Sequence, residues 1–116
     1  MVRAFDHKVG EYVAVKIVRA GREQMHLALN EINILMSIKE KDIDNRKNIL
    51  RIKDFIVFRR HICIITELLG TNLYQLLESN YFRPLDHQNV RAFAIQILFS
   101  LAFLKQVGVV HSDIKP

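Results

Sequence analysis

At 116 residues, half of them hydrophobic and a quarter charged, with 4 glycines and 2 prolines, the chain has the composition of a folded domain, which excludes a disordered linker or low-complexity tail. No apolar run reaches the roughly 18 residues that span a bilayer, and the N-terminus lacks a charged start followed by an apolar stretch. No membrane is therefore expected as a partner, and an intracellular protein is the expectation. The net charge of +5 is scattered without a stripe of basic and aromatic residues, so it reads as solvated surface, and nucleic acid is not expected as a partner.

Val2 to Phe5 and residues 11–19 (EYVAVKIVR) have the β-branched and aromatic content of strands, which predicts a hairpin with its turn near His7 to Gly10. From Arg22 to Lys41 apolar residues recur at helical intervals. Leu27, Ala28, Ile34, Leu35 and Ile38 form the expected buried stripe, with Glu31 in its middle. The polar stretch EKDIDNRKN precedes two strand-like runs, ILRIKDFIVF and HICIITELL, on either side of Arg59-Arg60, which predicts a second hairpin. The single cysteine, Cys63, has apolar neighbours and is expected to be a buried structural thiol. Asn72 to Ser79 suits a short helix, and Asp86 can cap a longer one from His87 to Gln106. Apolar residues cover so much of that last helix that it calls for burial on most sides. The order of elements predicts an α+β fold, an antiparallel sheet with helices packed on and beside it, and the last helix suggests a larger domain cut short.

Two places carry charge where chemistry needs it. Alternation puts Lys16 on the same strand face as Ala14 and Val18, while Glu31 sits in the helical stripe that should face the sheet. An unpaired buried charge costs several kcal/mol, as an order of magnitude, so each group has reason to find the other. The alternative is that Lys16 snorkels to a sheet edge and Glu31 lies at the rim of its stripe. At the C-terminal end, HSDIKP places Asp113 and Lys115 on a loop after the last helix, where they could serve as proton acceptor and phosphate-neutralising cation. The adjacent His111-Ser112-Asp113 is no hydrolytic triad, since that geometry needs groups from separate parts of a fold.

VAVK, a helix glutamate, an ELL segment and HxDxKP stand in the order of the protein-kinase signature set. Over essentially its whole length the chain resembles the dual-specificity tyrosine-phosphorylation-regulated kinases, with the homeodomain-interacting kinases and the splicing-factor-directed Clk kinases as near relatives. The likeness is carried by VRAFDHKVGEYVAVKIV, by the interval of 15 between Lys16 and Glu31, by EKDIDNRKNILRIKDFIVFRRHICIITELL and by TNLYQLL.

The resemblance implies a kinase N-lobe over 1–69, lacking the Gly-rich loop, and the start of a C-lobe over 70–116 that ends within the catalytic loop. It implies that Lys16 holds the α- and β-phosphates of ATP with Glu31 as its partner on the C helix. Ala14 would line the adenine pocket, Thr66 would be the gatekeeper, and the backbone of Glu67 to Leu69 would hydrogen-bond adenine. Asp113 would accept the substrate hydroxyl proton and Lys115 would steady the γ-phosphate. ATP, Mg²⁺ and protein substrates are the implied cofactors and partners, and the nucleus or cytoplasm the implied compartment. Ser112 and Thr66 depart from the Cys and Phe usual in the resembled family. Both protein ligands for Mg²⁺ lie outside the chain, so no metal ligand is assigned within it. The expected activity is phosphorylation of Ser or Thr, with Tyr autophosphorylation, by an incomplete domain that is inactive alone. The alternative is a truncated kinase-like module that acts by protein binding.

Overall fold

The computed structural model describes residues 1–116 and divides them into two compact units, Met1–Asn45 with Leu50–Leu69, and Arg46–Ile49 with Gly70–Pro116. In the first unit, strands β1 (Val2–Asp6), β2 (Glu11–Ile17), β3 (Ile52–Phe58) and β4 (His61–Glu67) form one antiparallel sheet in the order β1-β2-β4-β3, and helix α1 (Arg22–Lys41) packs on β3 and β4. The β1–β2 turn is closed by the Asp6 carbonyl, which accepts from Gly10 N–H at 2.8 Å, and by the Asp6 carboxylate, which accepts from Lys8 N–H at 2.9 Å. Gly10 has φ 78, the left-handed backbone in which glycine has no Cβ penalty.

The core lies between α1 and the sheet. Ala28 and Ile32 of α1 meet Ile52, Ile62 and Ile64, with Val18 and Leu35 at the margin. The expected stripe is thus displaced. Leu27 is 62% exposed and Ile34 is also exposed, while Ile32 is only 2% exposed. At about 100° per residue, Ala28, Ile32 and Leu35 fall within roughly 60° of one another, whereas Leu27 and Ile34 lie to one side. The helix is apolar on more than one face, and the sheet selects which arc is covered.

The strands are also shorter than their apolar runs. β3 begins at Ile52 because the Arg51 N–H donates to the Glu67 side chain, Oε1 at 2.7 Å, while Glu67 N–H donates to the Arg51 carbonyl at 3.1 Å. A bulge follows at Ile52/Asp54, and Lys53 pairs with Glu11 at 2.7 Å. Arg59 and Arg60 make the two-residue β3–β4 turn with φ of 47 and 68, the primed-turn backbone that suits the twist of a hairpin. Cys63 is buried on β4, as expected.

In the second unit α2 (Leu73–Ser79) starts at Asn72, whose Oδ1 accepts from Gln75 N–H at 2.8 Å while the Gln75 side chain accepts from Asn72 N–H at 3.2 Å. This reciprocal box satisfies two donors that the helix itself leaves open. Helix α3 (His87–Gln106) starts at Asp86, whose carboxylate accepts from Gln88 N–H at 3.0 Å. It ends where Gly108 turns left-handed, with Gly108 N–H bonded to Lys105 O and Val109 N–H to Leu104 O, the Schellman pattern that satisfies the last carbonyls. Residues 46–49 are tied to α3 by Ser100, whose hydroxyl lies 2.7 Å from the Lys47 carbonyl, and by the Lys47 ammonium over the Phe99 ring at 4.6 Å. Phe103 and Leu104 are buried, but Val90, Ile95, Leu98 and Phe99 remain exposed. No helix is long and apolar enough to cross a membrane.

Candidate functional site

The pairing register of β2 on β4 builds the site from the strand outward. Ala14 lies opposite Thr66 and Lys16 opposite Ile64, so all four share the face of the sheet on which α1 packs. Ala14 and Thr66 are both buried, and the Thr66 hydroxyl lies 3.2 Å from the Glu67 carbonyl, to which it donates. Both positions thus carry a small side chain on paired strands.

Lys16 and Glu31 meet across this face. The Lys16 ammonium donates to both oxygens of the Glu31 carboxylate, at 2.8 and 2.7 Å. The reason expected for their pairing does not hold, however. Their side chains are 46% and 39% exposed, so neither charge is stripped of water. Glu31 lies at the open side of the α1 arc covered by the sheet. An ion pair this exposed contributes about 0.2–1 kcal/mol, far below the several kcal/mol that an unpaired buried charge costs. The exposed ammonium keeps donor capacity for a further anion.

Glu67 ends β4, and the chain runs on through exposed Leu68 and Leu69. The Glu67 carboxylate is engaged by the Arg51 amide, which fixes the strand end from which this segment departs. Arg51 does more. Its guanidinium donates to the Asp42 carbonyl at 2.7 Å and, at 3.4 Å, to the Ile43 carbonyl, where α1 gives out. Sequence reading passed over Arg51, because its partners are backbone carbonyls and leave no mark in residue types.

In the second unit, Asp113 and Lys115 lie in the turn after α3. Lys115 Nζ is 2.9 Å from Asp113 Oδ2, and both side chains are 70% exposed. Asp113 N–H donates to His111 Nδ1 at 3.3 Å, and Ser112 between them has φ 58. A left-handed serine costs about 1 kcal/mol or more, and such strain collects at functional turns. In the first unit, then, Lys16 meets Glu31 and Ala14 pairs with Thr66, while Glu67 and Leu69 lie at and beyond the end of β4; in the second, Lys115 meets Asp113. No group of three or more His, Cys, Asp or Glu side chains stands ready to hold a metal ion.

Comparison with known proteins agrees in direction with this geometry. The protein kinase domain family matches residues 1–116. The chain is 40% identical over 116 residues to dual specificity tyrosine-phosphorylation-regulated kinase 4 of Homo sapiens, covering all of this chain and 22% of that protein. It is 36% identical to dual specificity tyrosine-phosphorylation-regulated kinase 2 of Drosophila melanogaster and 38% identical to kinase 3 of the same series in Macaca fascicularis, again over the whole chain, covering 16% and 20% of those proteins. The chain therefore spans about a fifth of the length of these relatives. With a family match along its entire length, and with a four-stranded sheet carrying a helix whose glutamate grips the lysine of VAVK, the chain belongs to the protein kinase domain family.

Proposed function

We propose that this chain is the nucleotide-holding part and catalytic turn of an ATP-dependent kinase that phosphorylates protein Ser or Thr hydroxyls and, as a dual-specificity enzyme, its own Tyr. The observation that carries the reading is the Lys16–Glu31 pair, bidentate at 2.7 and 2.8 Å yet still half exposed to solvent. Glu31 fixes the direction of the ammonium, and Lys16 offers its remaining donor capacity to the α- and β-phosphates. Ala14 and Thr66 make the buried wall for adenine, and the backbone from Glu67 to Leu69 supplies its hydrogen bonds.

Asp113 accepts the proton of the substrate hydroxyl as the oxygen becomes a nucleophile, and Lys115 balances charge on the phosphoryl group. Their ion pair at 2.9 Å holds the two side chains to one turn, and their exposure leaves them accessible to substrate. Mg²⁺, when bound with ATP, neutralises phosphate charge, but this segment offers no three-carboxylate cluster to hold it. Residues 1–116 by themselves are on this reading inactive in phosphoryl transfer.

The test is nucleotide affinity in the protein expressed from its full natural reading frame. ATP binding that weakens by about tenfold or more in Lys16→Met, with adenosine binding retained, is the expected result, since each charge-assisted hydrogen bond to phosphate is worth about 1.5–3 kcal/mol. Equal ATP affinity in the two proteins would refute the assignment.

A further inference from the structure

Arg51 joins two parts of the proposed site that are far apart in sequence. Its side chain reaches the end of α1, where Asp42 is the C-cap and the last carbonyls have no partner within the helix. The guanidinium supplies donors there, at 2.7 Å to Asp42 O and 3.4 Å to Ile43 O, and its charge suits the negative end of the helix dipole. Its backbone meanwhile makes two bonds to Glu67, the amide to the carboxylate at 2.7 Å and the carbonyl to the Glu67 N–H at 3.1 Å. One residue thus caps the helix that carries Glu31 and grips the strand end from which the adenine-contacting segment begins.

From this double attachment we infer that Arg51 is a positioning residue for ATP, setting the distance and direction between the phosphate-holding pair Lys16–Glu31 and the adenine-holding backbone at Glu67. The inference rests on the nucleotide-binding reading above. Its physical content is preorganisation. A ligand held at two points gains affinity from a fixed spacing between them, because the second contact then forms without further ordering. A ligand held at one point gains nothing from that spacing. Apart from the Lys16–Glu31 pair itself, α1 meets the sheet through apolar side chains, Ala28, Ile32 and Leu35, whose contacts fix direction less sharply than a hydrogen-bonded guanidinium does.

The effect is therefore read as a difference between two ligands. In the protein expressed from its full natural reading frame, Arg51→Met keeps the apolar stem and removes both side-chain bonds. ATP affinity is expected to fall by about fivefold while adenosine, which reaches only the adenine end, binds within about twofold of the unsubstituted protein. In a Lys16→Met background, where the phosphate end is already lost, Arg51→Met is expected to add no further ATP loss. Arg51→Lys, a point donor that cannot span both carbonyls, is expected to give a smaller loss confined to ATP, and it carries the test if Arg51→Met does not fold.

Parallel weakening of ATP and adenosine would show a merely structural role and overturn the proposal, as would unchanged ATP affinity in both variants. If Lys16→Met leaves ATP binding untouched, the nucleotide reading fails and this inference falls with it. If Lys16→Met selectively loses ATP, that reading stands and the Arg51 variants decide alone.

Discussion

Replacing Glu31 by Gln separates what the Lys16–Glu31 pair does for stability from what it does for the site. The substitution keeps shape and hydrogen-bonding capacity but removes the charge that the Lys16 ammonium meets at 2.7 and 2.8 Å. Both side chains keep a large share of their solvent exposure, which places the pair with surface ion pairs, worth about 0.5 kcal/mol once screening is counted. Gln and Glu have nearly equal helix propensity, and position 31 is too far from either end of α1 for the dipole to matter. The unfolding free energy is therefore expected to fall by less than about 1 kcal/mol, seen in urea as a midpoint shift of under about 0.5 M at constant slope. ATP affinity is expected to fall by about tenfold, because an ammonium without its carboxylate is no longer held toward the phosphates. Urea titration and a nucleotide-binding isotherm on the same preparation measure both quantities. A stability loss of about 3 kcal/mol would show the pair to be a buried structural unit after all. Unchanged ATP affinity would show an ordinary surface contact, and in either case the reasoning from exposure to function fails.

Further expectations concern the core, a turn and the pocket wall. Ile32→Ala removes a side chain enclosed by the sheet and is expected to cost about 3 kcal/mol in denaturant unfolding, whereas Leu27→Ala on the exposed flank costs under about 0.5 kcal/mol; the reverse order would mean α1 faces the sheet with a different arc. Arg60→Gly places glycine at a left-handed position, φ 68, and is expected to stabilise the fold by up to about 1 kcal/mol, while a loss of stability by the same measurement would show that the arginine makes contacts outweighing its backbone strain. Thr66→Phe fills the small buried position opposite Ala14 and is expected to abolish sensitivity to inhibitors that reach behind it; equal inhibition of both proteins across a panel of such compounds would rule out an open pocket there.

Much of the architecture is legible in the order of residues. The limits of α1 and α3 follow from periodicity and, for α3, from the Asp86 cap. The β3–β4 turn is recognisable from the flanking strands although Arg59-Arg60 lacks the Asn-Gly that such a turn favours. That Lys16 faces α1 follows from strand alternation, but how exposed it is does not, since that depends on how far the helix overhangs the sheet. Ile32 was missed for a related reason, as a helix apolar on several sides does not declare which arc its sheet will cover. Arg51 was invisible because its contacts depend on where α1 ends and on backbone carbonyls rather than on a partner side chain. Charge and period are properties of residue order, whereas exposure and backbone capping are properties of the assembled unit.

The central claim is that this chain serves phosphoryl transfer from ATP to a protein hydroxyl, and Asp113 tests it most directly because its proposed role is confined to that step. The measurement is transfer of labelled γ-phosphate to a protein substrate by the protein from its full natural reading frame, alongside Asp113→Asn. Asp113 is on an exposed turn, so the variant is expected to fold and bind ATP normally. The account predicts robust transfer by the unsubstituted protein and a loss of about a hundredfold or more in the variant, the usual contribution of a positioned proton acceptor. Transfer at an equal rate by both proteins, or by neither while ATP remains bound, would contradict it.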